Sequence, residues 1–410
     1  MAKVRFGLIG CGKIAEANHF PEVLSLGKDG EIVAMYDIKP GAAAKLAKKF
    51  KSKAVICKSE AELLAADIDA VIIATPNCFH YPQTLAALNA GKHVLVEKPM
   101  ASRIADADAM IDLARKKKLV LHVNQSMRYV PLWCEIKRRL DAGAIGTPIH
   151  ARCLRAASAS PDVGWSKGAT WFVQKKYEGS LVTDIAVHMA DALQWFFGPV
   201  KSILALNRNR THEVPDNVNA LLDFANGATG SLELSWTFPT GCGALELYGE
   251  KGTLRMLADG SGFEIIPAGG KAPTVVKAAD VPAVANSHAC FVEEVRNAAA
   301  DGWLIGRNAL ALCCAIIESD LAQAAIKPQY RKAPAAPAKK AAPAKAAVKA
   351  APAKKAAPVK AAVKAPAKKA APAKAPVAKA PVAKAPVAKA PVAKAPVAKA
   401  PAKKAAAKKK

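Results

Sequence analysis

Three residues in two distant parts of the sequence have side chains that could move a proton and stabilise charge on an oxygen atom. Lys98 lies in the tripeptide Glu97-Lys98-Pro99, and Asp184 and His188 are four positions apart in an otherwise apolar stretch. On a helix, this spacing places both side chains on one face. A neutral histidine beside a carboxylate is a good general base near neutral pH. For each feature taken alone, the alternatives are a surface lysine at a turn and a satisfied core histidine.

A glycine-rich turn near the N-terminus has the pattern of a dinucleotide-binding loop. The turn follows the first apolar run and reads Gly10-Cys11-Gly12-Lys13-Ile14-Ala15. Its glycines would allow a pyrophosphate to approach backbone N–H groups at the start of a helix. Asp37 ends the second apolar run, where a carboxylate can hydrogen-bond an adenosine ribose and repel a 2′-phosphate. NAD is therefore favoured over NADP, although Lys39 weakens this preference and a solvated acid is the alternative for Asp37.

Short apolar runs alternate with helical stretches through the first 124 residues. Predicted strands cover residues 4–9, 32–36, 70–74, 93–96 and 119–123, and predicted helices cover 41–50, 81–90 and 105–117. Continuous apolar strands separated by helices are typical of a parallel sheet covered on both faces. We therefore predict a doubly wound α/β domain over residues 1–124. Lys98 would lie at the carboxyl edge of its sheet, where ligands bind, and the Lys98-Pro99 bond is a candidate cis peptide.

The pattern changes near residue 125. Predicted strands with alternating polarity cover residues 218–224, 230–236, 244–248 and 253–257, and predicted helices cover 131–142, 180–197, 287–300 and 308–325. Asn226-Gly227 is a good hairpin turn between two of these strands. The pattern indicates an α+β domain with a mainly antiparallel sheet over residues 125–330.

The net charge of +27 is carried mostly by the C-terminal segment. Residues 331–410 contain 22 Lys, one Arg and no acid, which leaves +4 for the preceding 330 residues. From Lys332 onward only Ala, Pro, Lys and Val occur, with a repeated Ala-Pro-Val-Ala-Lys unit. Such a segment has little to bury, so we expect a disordered tail that favours polyproline II. The whole chain is therefore not expected to be a basic nucleic-acid-binding fold.

Composition also limits the cellular setting. No run of 18 apolar residues occurs, so no membrane span is expected, and the N-terminus lacks the pattern of a secretory signal. The nine cysteines are odd in number and scattered, without a Cys-x-x-Cys pair. Free thiols in a reducing cytoplasm are the simplest interpretation, and neither disulfides nor a metal site are expected.

Taken together, these features resemble the glucose-fructose oxidoreductase / inositol dehydrogenase / MocA family of NAD(P)-dependent oxidoreductases. The resemblance covers about residues 3–329, and its segments fall in the family's order and spacing. Besides the glycine-rich turn, these are Ala74-Thr75-Pro76-Asn77 with His80, the run from Gly91 to Pro99, Asp184-x-x-x-His188-x-x-Asp191, Asp216-Asn217-Val218, and the run from Tyr248 to Thr253. No single segment identifies the family, but the occurrence of all of them in the family's order and spacing across two domains is highly specific for it.

The resemblance implies roles for individual residues. It places the pyrophosphate at Gly10, Gly12, Lys13 and Ile14, the adenosine ribose at Asp37, the path to the nicotinamide at Thr75, Pro76, Asn77 and His80, and the nicotinamide ribose at Glu97. It implies a catalytic trio of Lys98, Asp184 and His188, with Lys98 also bordering the cofactor. Candidate substrate contacts are Arg128, Tyr129, Trp165, Trp171 and Tyr177, for each of which ordinary packing is an equal alternative.

One segment departs from the family pattern. The family usually has a Gly-Gly-Gly-like turn before the aspartate helix, whereas this chain has Glu178-Gly179-Ser180. The turn lies beside the substrate in the family, so the departure leaves the substrate class open. The family's second domain is an open, mainly antiparallel sheet that commonly makes dimers or tetramers, and a homo-oligomer is therefore expected here.

The expected reaction is hydride transfer between NAD and a secondary alcohol of a sugar, cyclitol or sugar derivative. A second hypothesis is NAD-dependent glycoside hydrolysis, which some members of the family perform. A third is a nucleotide-sensing or DNA-tethered protein, because residues 331–410 resemble the Lys-Ala-Pro tails of linker-histone-like proteins. Such tails bind phosphate backbones with little sequence preference. A solubilising appendage is an equal alternative for the tail.

Overall fold

Six parallel strands form the sheet that carries the glycine-rich turn. The computed structural model describes residues 3–297 and 302–331. The strands of the first sheet are β1 Val4–Ile9, β2 Gly30–Tyr36, β3 Val55–Ile56, β4 Ala70–Ile73, β5 His93–Glu97 and β6 Leu121–Asn124. They lie in the order β3-β2-β1-β4-β5-β6, and all neighbouring pairs run parallel. This confirms the predicted doubly wound arrangement.

Helices cover this sheet, and two separate core clusters form on its faces. The helices are α1 Phe20–Ser25, α2 Ala42–Phe50, α3 Glu60–Ala65, α4 Asn77–Asn89 and α5 Ile104–Lys117. β4 is buried along its whole length, as expected for a strand covered on both sides. Ile72 belongs to one cluster and its neighbours Val71 and Ile73 belong to the other. Successive side chains thus enter opposite clusters, because the side chains of a strand point to its two faces in turn.

The second sheet has eight strands and is mainly antiparallel, as predicted. Its strands are β7 Pro148–Ala156, β8 Val200–Arg208, β9 Asn217–Phe224, β10 Thr229–Ser235, β11 Cys242–Gly249, β12 Gly252–Met256, β13 Gly262–Pro267 and β14 Thr274–Lys277. They lie in the order β14-β13-β12-β11-β7-β10-β9-β8, and only β7 and β10 pair in parallel among these described strands. Asn226-Gly227 forms the expected hairpin turn between β9 and β10, with a φ of +90° at Gly227.

Four further helices belong to the second half of the chain. These are α6 Pro131–Asp141, α7 Val187–Phe197, α8 Ser287–Asn297 and α9 Gly302–Ala322, and a π-helical turn, Val182–Ala186, runs directly into α7. α9 packs against both β6 and β8, so it joins the two sheets. A Cβ on Gly306 would lie 2.5 Å from the side chain of Val123, which shows how closely α9 approaches β6. Within residues 3–297 and 302–331, no helix is both long and apolar enough to cross a membrane.

The strand pattern of β8 explains why part of the second sheet escapes prediction. Leu204 and Leu206 are exposed on this strand, whereas Asn207 is buried. This reversal hides the alternation of polar and apolar residues that marks a half-buried strand. The other strands that the sequence does not reveal are β3, β7, β13 and β14.

Two predicted helices begin earlier in the structure than in the sequence-based assignment. The helix predicted over residues 81–90 begins at Asn77, directly after Pro76. The helix predicted over 308–325 begins at Gly302 and ends at Ala322. The last three residues of the helix predicted over 287–300, and the tail from residue 332 onward, lie outside the described residues. The domain boundary at residues 124 and 125 stays a prediction.

Candidate functional site

The turns that follow five parallel strands meet at the carboxyl edge of the first sheet. After β1, β2, β4, β5 and β6 they carry Gly10, Asp37, Thr75, Lys98 and Gln125. β1 lies between β2 and β4, so the winding direction of the chain reverses between β1 and β4. In doubly wound sheets, ligands bind in the crevice at such a reversal.

The glycine-rich turn has one glycine that the backbone needs and one that leaves open space. Gly10 has a φ of +90°, and a Cβ built on it would lie 2.4 Å from the carbonyl oxygen of Ala74. A Cβ on Gly12 would meet no heavy atom of the described residues within 4 Å. Lys13 beside it is exposed, and Ile14 is half-buried. Gly10 therefore closes the turn, while Gly12 leaves room that a pyrophosphate can use beside the π-helical turn Ala15–His19, which runs into α1.

Asp37 connects the end of β2 to the glycine-rich turn. Its Oδ2 accepts a hydrogen bond from the backbone N–H of Cys11 at 2.7 Å, and its Oδ1 accepts one from the N–H of Lys39 at 2.7 Å. Asp37 also borders a cavity of about 280 Å³ that is lined by residues 36–41, 43, 44 and 56–58. Each carboxylate oxygen keeps further acceptor capacity. This position suits the ribose hydroxyls of an adenosine.

His80 lies beneath the turns that follow β4 and β5. Its ring nitrogens lie 2.8 Å from the carbonyl oxygen of Thr75 and 2.7 Å from that of Pro99, and the side chain is 1% exposed. Burial lowers the pKa of His80, although the two carbonyls act in the opposite direction. The Lys98-Pro99 bond is cis, as predicted, and Pro76 has an extended backbone before α4. The structure thus gives His80 contacts to backbone atoms and little contact with the cleft.

Glu97 is buried at the end of β5 and has contacts on both carboxylate oxygens. Its Oε1 accepts from Nδ2 of Asn124 at 2.6 Å and lies 3.1 Å from Nε2 of His19. Its Oε2 accepts from the backbone N–H of Lys98 at 3.2 Å. Burial alone would raise the pKa of Glu97, but His19, Lys98 and Asn124 stabilise the carboxylate and lower the pKa to about 2. Glu97 is therefore an ionised acceptor in a fixed orientation.

The ammonium group of Lys98 binds Asp184 of the π-helical turn through two hydrogen bonds. Nζ donates to Oδ1 of Asp184 at 2.9 Å and to its backbone carbonyl oxygen at 2.8 Å. The two side chains are 14% and 6% exposed, so the ion pair lies largely out of water. An ammonium group has three N–H donors, which leaves one for another oxygen atom. The fold thus brings together two of the three residues expected to act in catalysis.

His188 lies near the start of α7, close behind Asp184 in the chain. Its Nδ1 is buried and has no hydrogen-bond partner among the described residues. Burial and the positive charge of Lys98 hold the pKa of His188 well below its usual range. The imidazole is therefore neutral at physiological pH and able to accept a proton.

The relation between Asp184 and His188 differs from the one expected for a continuous α-helix. Asp184 lies in the π-helical turn, and its carboxylate is hydrogen-bonded to Lys98. No hydrogen bond joins Asp184 to His188 among the described contacts. A π-helical turn takes more residues than an α-helical one, so a spacing of four no longer superimposes two side chains. Such turns are frequent at functional sites.

Arg128 and Tyr129, two of the candidate substrate contacts, already have partners inside the protein. Arg128 donates from Nε and Nη2 to the two carboxylate oxygens of Asp191, at 2.8 and 2.9 Å. The hydroxyl of Tyr129 lies 3.0 Å from Nε2 of His122. Asp191 lies three residues after His188, so Arg128 fixes the helix that carries the histidine.

Trp165, Trp171 and Tyr177 belong to one segment that precedes the π-helical turn. Trp165 is 49% exposed and meets the ring of Phe172 edge-on, while Trp171 stacks on Phe172 with 3.7 Å between ring centroids. Tyr177 lies 6.4 Å from Phe79 of α4 by the same measure. These rings form an aromatic segment that reaches from the second half of the chain to α4.

Glu178 and Gly179 form the turn in which this chain departs from the family's usual glycines. Glu178 has a φ of +59°, a left-handed conformation that glycine adopts without strain. Its carbonyl oxygen accepts from Nδ2 of Asn77 at 3.1 Å, and its side chain contacts Ser102. A Cβ on Gly179 would lie 2.2 Å from the carbonyl oxygen of Trp171. The turn therefore keeps a glycine-like backbone but adds an acidic side chain.

Several polar residues of the site do not stand out in the sequence. Asn124 holds Glu97, and both amide atoms of the adjacent Gln125 are buried without a hydrogen-bond partner among the described residues. His19 contacts both Glu97 and His288. The sequence does offer one indication for Asn124 and Gln125, because two amide side chains follow an apolar strand at the edge of the sheet where ligands bind. His19 and His288 are 269 positions apart, and nothing in the sequence connects them.

Sequence comparisons identify one family. The family model described as "Oxidoreductase family, NAD-binding Rossmann fold" matches residues 4–125, and that of the "GFO/IDH/MocA C-terminal domain" matches residues 133–255. D-glucoside 3-dehydrogenase of Escherichia coli (strain K12) is 31% identical over 252 residues, which cover 57% of this chain and 70% of that protein. Inositol 2-dehydrogenase 3 of Saccharopolyspora erythraea is 31% identical over 265 residues, which cover 62% and 73% respectively.

A comparison with solved structures finds the same fold. Levoglucosan dehydrogenase in complex with NADH and L-sorbose has a TM-score of 0.71 and 23% sequence identity, and the match covers 81% of this chain and 100% of that one. The family models and the relatives named above identify the chain as an NAD-dependent oxidoreductase. The chain belongs to the glucose-fructose oxidoreductase / inositol dehydrogenase / MocA (Gfo/Idh/MocA) family.

Proposed function

We propose that the protein is an NAD-dependent dehydrogenase that interconverts a secondary alcohol and a ketone on a sugar, cyclitol or sugar derivative. The observation that carries this proposal is the Lys98–Asp184 ion pair at the carboxyl edge of the NAD-binding sheet. The neutral His188 follows Asp184 by four residues, and the charge of Lys98 acts on its ring. The names of the glucoside and inositol dehydrogenases among its relatives support this substrate class.

The residues around the glycine-rich turn fit NAD. The open space at Gly12 lies where a helix begins, so Gly10, Gly12, Lys13 and Ile14 would hold the pyrophosphate. Asp37 would bind the adenosine ribose, and its charge disfavours the 2′-phosphate of NADP. Thr75, Pro76 and Asn77 would line the path to the nicotinamide, His80 would support that path from beneath, and Glu97 would accept a hydrogen bond from the nicotinamide ribose. When bound, NAD supplies the hydride acceptor.

Proton transfer would fall to His188. Its neutral imidazole would take the proton of the substrate hydroxyl as the carbon that bears this hydroxyl gives up a hydride to NAD. In the reverse reaction, the imidazole would return the proton. The third N–H of Lys98 would donate to the same oxygen atom and stabilise the negative charge that develops there. Asp184 would hold Nζ of Lys98 in place through its hydrogen bonds.

The substrate would lie against the aromatic segment. Trp165, Trp171 and Tyr177 offer ring faces and edges beside the turn that precedes Asp184. Arg128 and Tyr129 would support the site from inside the protein, because Asp191 and His122 already occupy their polar groups.

The proposal is tested by NADH formation with the purified full chain against a panel of inositols, aldoses, sugar acids and nucleotide sugars. We expect a signal with at least one class, and its loss in His188→Ala. Product analysis separates the hydrolytic alternative, which would release sugar and aglycone without accumulation of NADH. A signal that persists unchanged in His188→Ala would contradict the catalytic assignment.

We propose further that copies of the chain associate through the outer face of the second sheet. Leu204 of β8 lies opposite Leu221 of β9, and with Leu206 these side chains are 42%, 61% and 45% exposed. Exposed leucines on adjacent strands form an apolar patch that a second copy would cover. Analytical ultracentrifugation of Leu221→Lys should show smaller species than the unaltered protein, and an unchanged distribution would contradict this interface.

We also propose a reducing, cytoplasmic location. All nine cysteines lie within the described residues and are free thiols, as is usual for proteins of reducing compartments. The DNA-tethered alternative concerns residues 332–410, which lie outside the described residues, and is tested with a chain that ends at Arg331.

A further inference from the structure

A row of four side chains connects the protein surface to the end of β5. Oε2 of Glu22 lies 2.7 Å from Nδ1 of His288, and Nε2 of His288 lies 3.0 Å from Nδ1 of His19. Nε2 of His19 lies 3.1 Å from Oε1 of Glu97. Both imidazoles are fully buried, whereas the side chain of Glu22 is 22% exposed. The row therefore joins a partly exposed carboxylate on α1 to the buried carboxylate that precedes Lys98.

The contacts within this row require three protons. Each of the three gaps lies between two atoms that both carry lone pairs, so each gap needs one N–H proton to be attractive. Two neutral imidazoles supply only two N–H groups. The carboxyl groups supply no third proton, because the pKa of Glu22 is lowered and that of Glu97 is about 2, so both are ionised at neutral pH. One of the two rings must therefore be an imidazolium.

Burial disfavours the extra proton on His288, because it lowers the pKa of that ring to about 4, although Glu22 acts in the opposite direction. Nε2 of His19 lies within ion-pair distance of Glu97 but makes no hydrogen bond among the described residues. Attraction between opposite charges depends on distance more than on direction, so a positive charge on the row would stabilise the Glu97 carboxylate across this contact.

Other polar groups complete the surroundings of the row. Asn18 donates to Oε1 of Glu22, and Oγ of Ser287 lies 3.3 Å from Nδ1 of His288. His122 also acts to lower the pKa of His288. At the other end, Asn124 and the charge of Lys98 stabilise Glu97. Among the groups around Glu97, His19 lowers the pKa of this carboxyl group most.

We propose that His19 and His288 are positioning residues that together carry one proton more than two neutral rings, and that they keep Glu97 ionised to accept a hydrogen bond from a hydroxyl of the bound nicotinamide ribose. This inference rests on the proposed function, in which Glu97 contacts that ribose. Its consequence is that cofactor affinity depends on α8, which contributes His288 from the far end of the chain.

The first test measures NADH binding by calorimetry at pH 8 and pH 6. His19→Gln and His288→Gln should each weaken binding about tenfold, the effect of one hydrogen bond to a charged group. The loss should be greater at pH 6, because Glu97 without its cation has a raised pKa and becomes protonated as the pH falls. His93→Gln is the matched control, since His93 lies at the opposite end of β5, and it should bind NADH like the unaltered protein.

The outcomes separate this inference from the proposed function. Normal NADH binding by His288→Gln at both pH values, together with weak binding by Glu97→Gln, would overturn the proposed role of His19 and His288 and leave the proposed dehydrogenase function intact. Normal NADH binding by Glu97→Gln would show instead that Glu97 does not bind the ribose, and the proposed role of the two histidines would fail with it.

A second test needs no substitution. In the full-length protein labelled with 15N-histidine, nitrogen shifts distinguish neutral from doubly protonated rings. We expect one ring of the His19–His288 pair to be an imidazolium at pH 7, identified by the loss of its signal in the corresponding variant. Two neutral rings at this pH would overturn the proposed role of His19 and His288.

Discussion

At the scale of residues, the site combines a lysine held by an ion pair with a neutral histidine. Asp184 binds Lys98 directly, and burial together with the positive charge of Lys98 lowers the pKa of His188. Proton acceptance and oxyanion stabilisation can therefore be carried by different side chains at the same pH. The sequence places all three residues in one functional group, but the direct partner of Asp184 becomes clear only from the π-helical turn.

The first expectation at this scale concerns the acid stability of the fold. The pKa of Glu97 is about 2 in the folded protein, below its value in the unfolded chain. A lowered pKa contributes stability above the unfolded-state value, and this contribution is lost as the pH falls through the folded-state value. The unaltered protein should therefore lose on the order of 3 kcal/mol more than Glu97→Gln between pH 7 and pH 2. Urea unfolding across this range measures the difference, and parallel curves would contradict the assignment.

A second expectation concerns the backbone at Glu178. Glycine relieves the left-handed conformation that costs other residues about 1 kcal/mol, whereas alanine does not. Both substitutions remove the contact with Ser102. Glu178→Gly should therefore be more stable than Glu178→Ala by about 1 kcal/mol in thermal or urea unfolding. Equal stability of the two variants would show that the turn relaxes to another conformation.

At the scale of elements, the carboxyl edge of the parallel sheet positions the site. The turns after five of its six strands bring residues from positions 10 to 125 to one edge. The π-helical turn before α7 adds Asp184, and α7 adds His188. α9 fixes the two sheets relative to each other through its close contact with β6 and its packing on β8. The geometry of the cleft thus depends on contacts between elements that are distant in sequence.

The two glycines of the turn after β1 offer a matched pair of substitutions. Gly10→Ala would force a methyl group against the carbonyl oxygen of Ala74 and should destabilise the fold by roughly 3 kcal/mol or more. Gly12→Ala places the same methyl group in open space, so stability should change by less than about 0.5 kcal/mol. Its NADH affinity should nevertheless fall, because that space would receive the pyrophosphate. Normal NADH binding by Gly12→Ala would contradict this location.

Much of the first sheet could be predicted because its strands are continuous apolar runs, and the motif residues follow those runs directly. The second sheet could be predicted only in part, since exposed leucines and a buried asparagine obscure the pattern of β8. The partners of Arg128 and His19 were beyond prediction, because Asp191 and His288 reach them only through tertiary packing. Local periodicity contains no information about such long-range contacts.

At the scale of the whole molecule, the last described residue, Arg331, forms ion pairs with an earlier helix. Arg331 binds Asp108 at 3.0 Å and Asp112 at 2.6 Å, both on α5. Arg307 of α9 also binds Asp108, at 2.9 Å. These ion pairs attach the last described residues to α5, a helix of the NAD-binding half, so Arg331 is a suitable end point for a shortened chain.

Removal of residues 332–410 should leave the dehydrogenase reaction unchanged and should abolish any salt-dependent DNA binding. The removed segment contains 22 Lys and no acid, and binding through such charges weakens steeply as salt rises. A salt titration of DNA binding by the full chain and by the chain ending at Arg331 measures the effect. Equal, weak binding by both chains would remove the nucleic-acid hypothesis.

The most direct test of the central claim compares Lys98→Ala and His188→Ala with the unaltered protein, measuring turnover and NADH affinity side by side on the substrate that the panel identifies. We expect each substitution to reduce turnover by roughly 10²-fold or more, while NADH still binds, because neither side chain holds the pyrophosphate or the adenosine. Unchanged turnover in either variant would contradict the assignment of Lys98 and His188 as the residues that perform the reaction.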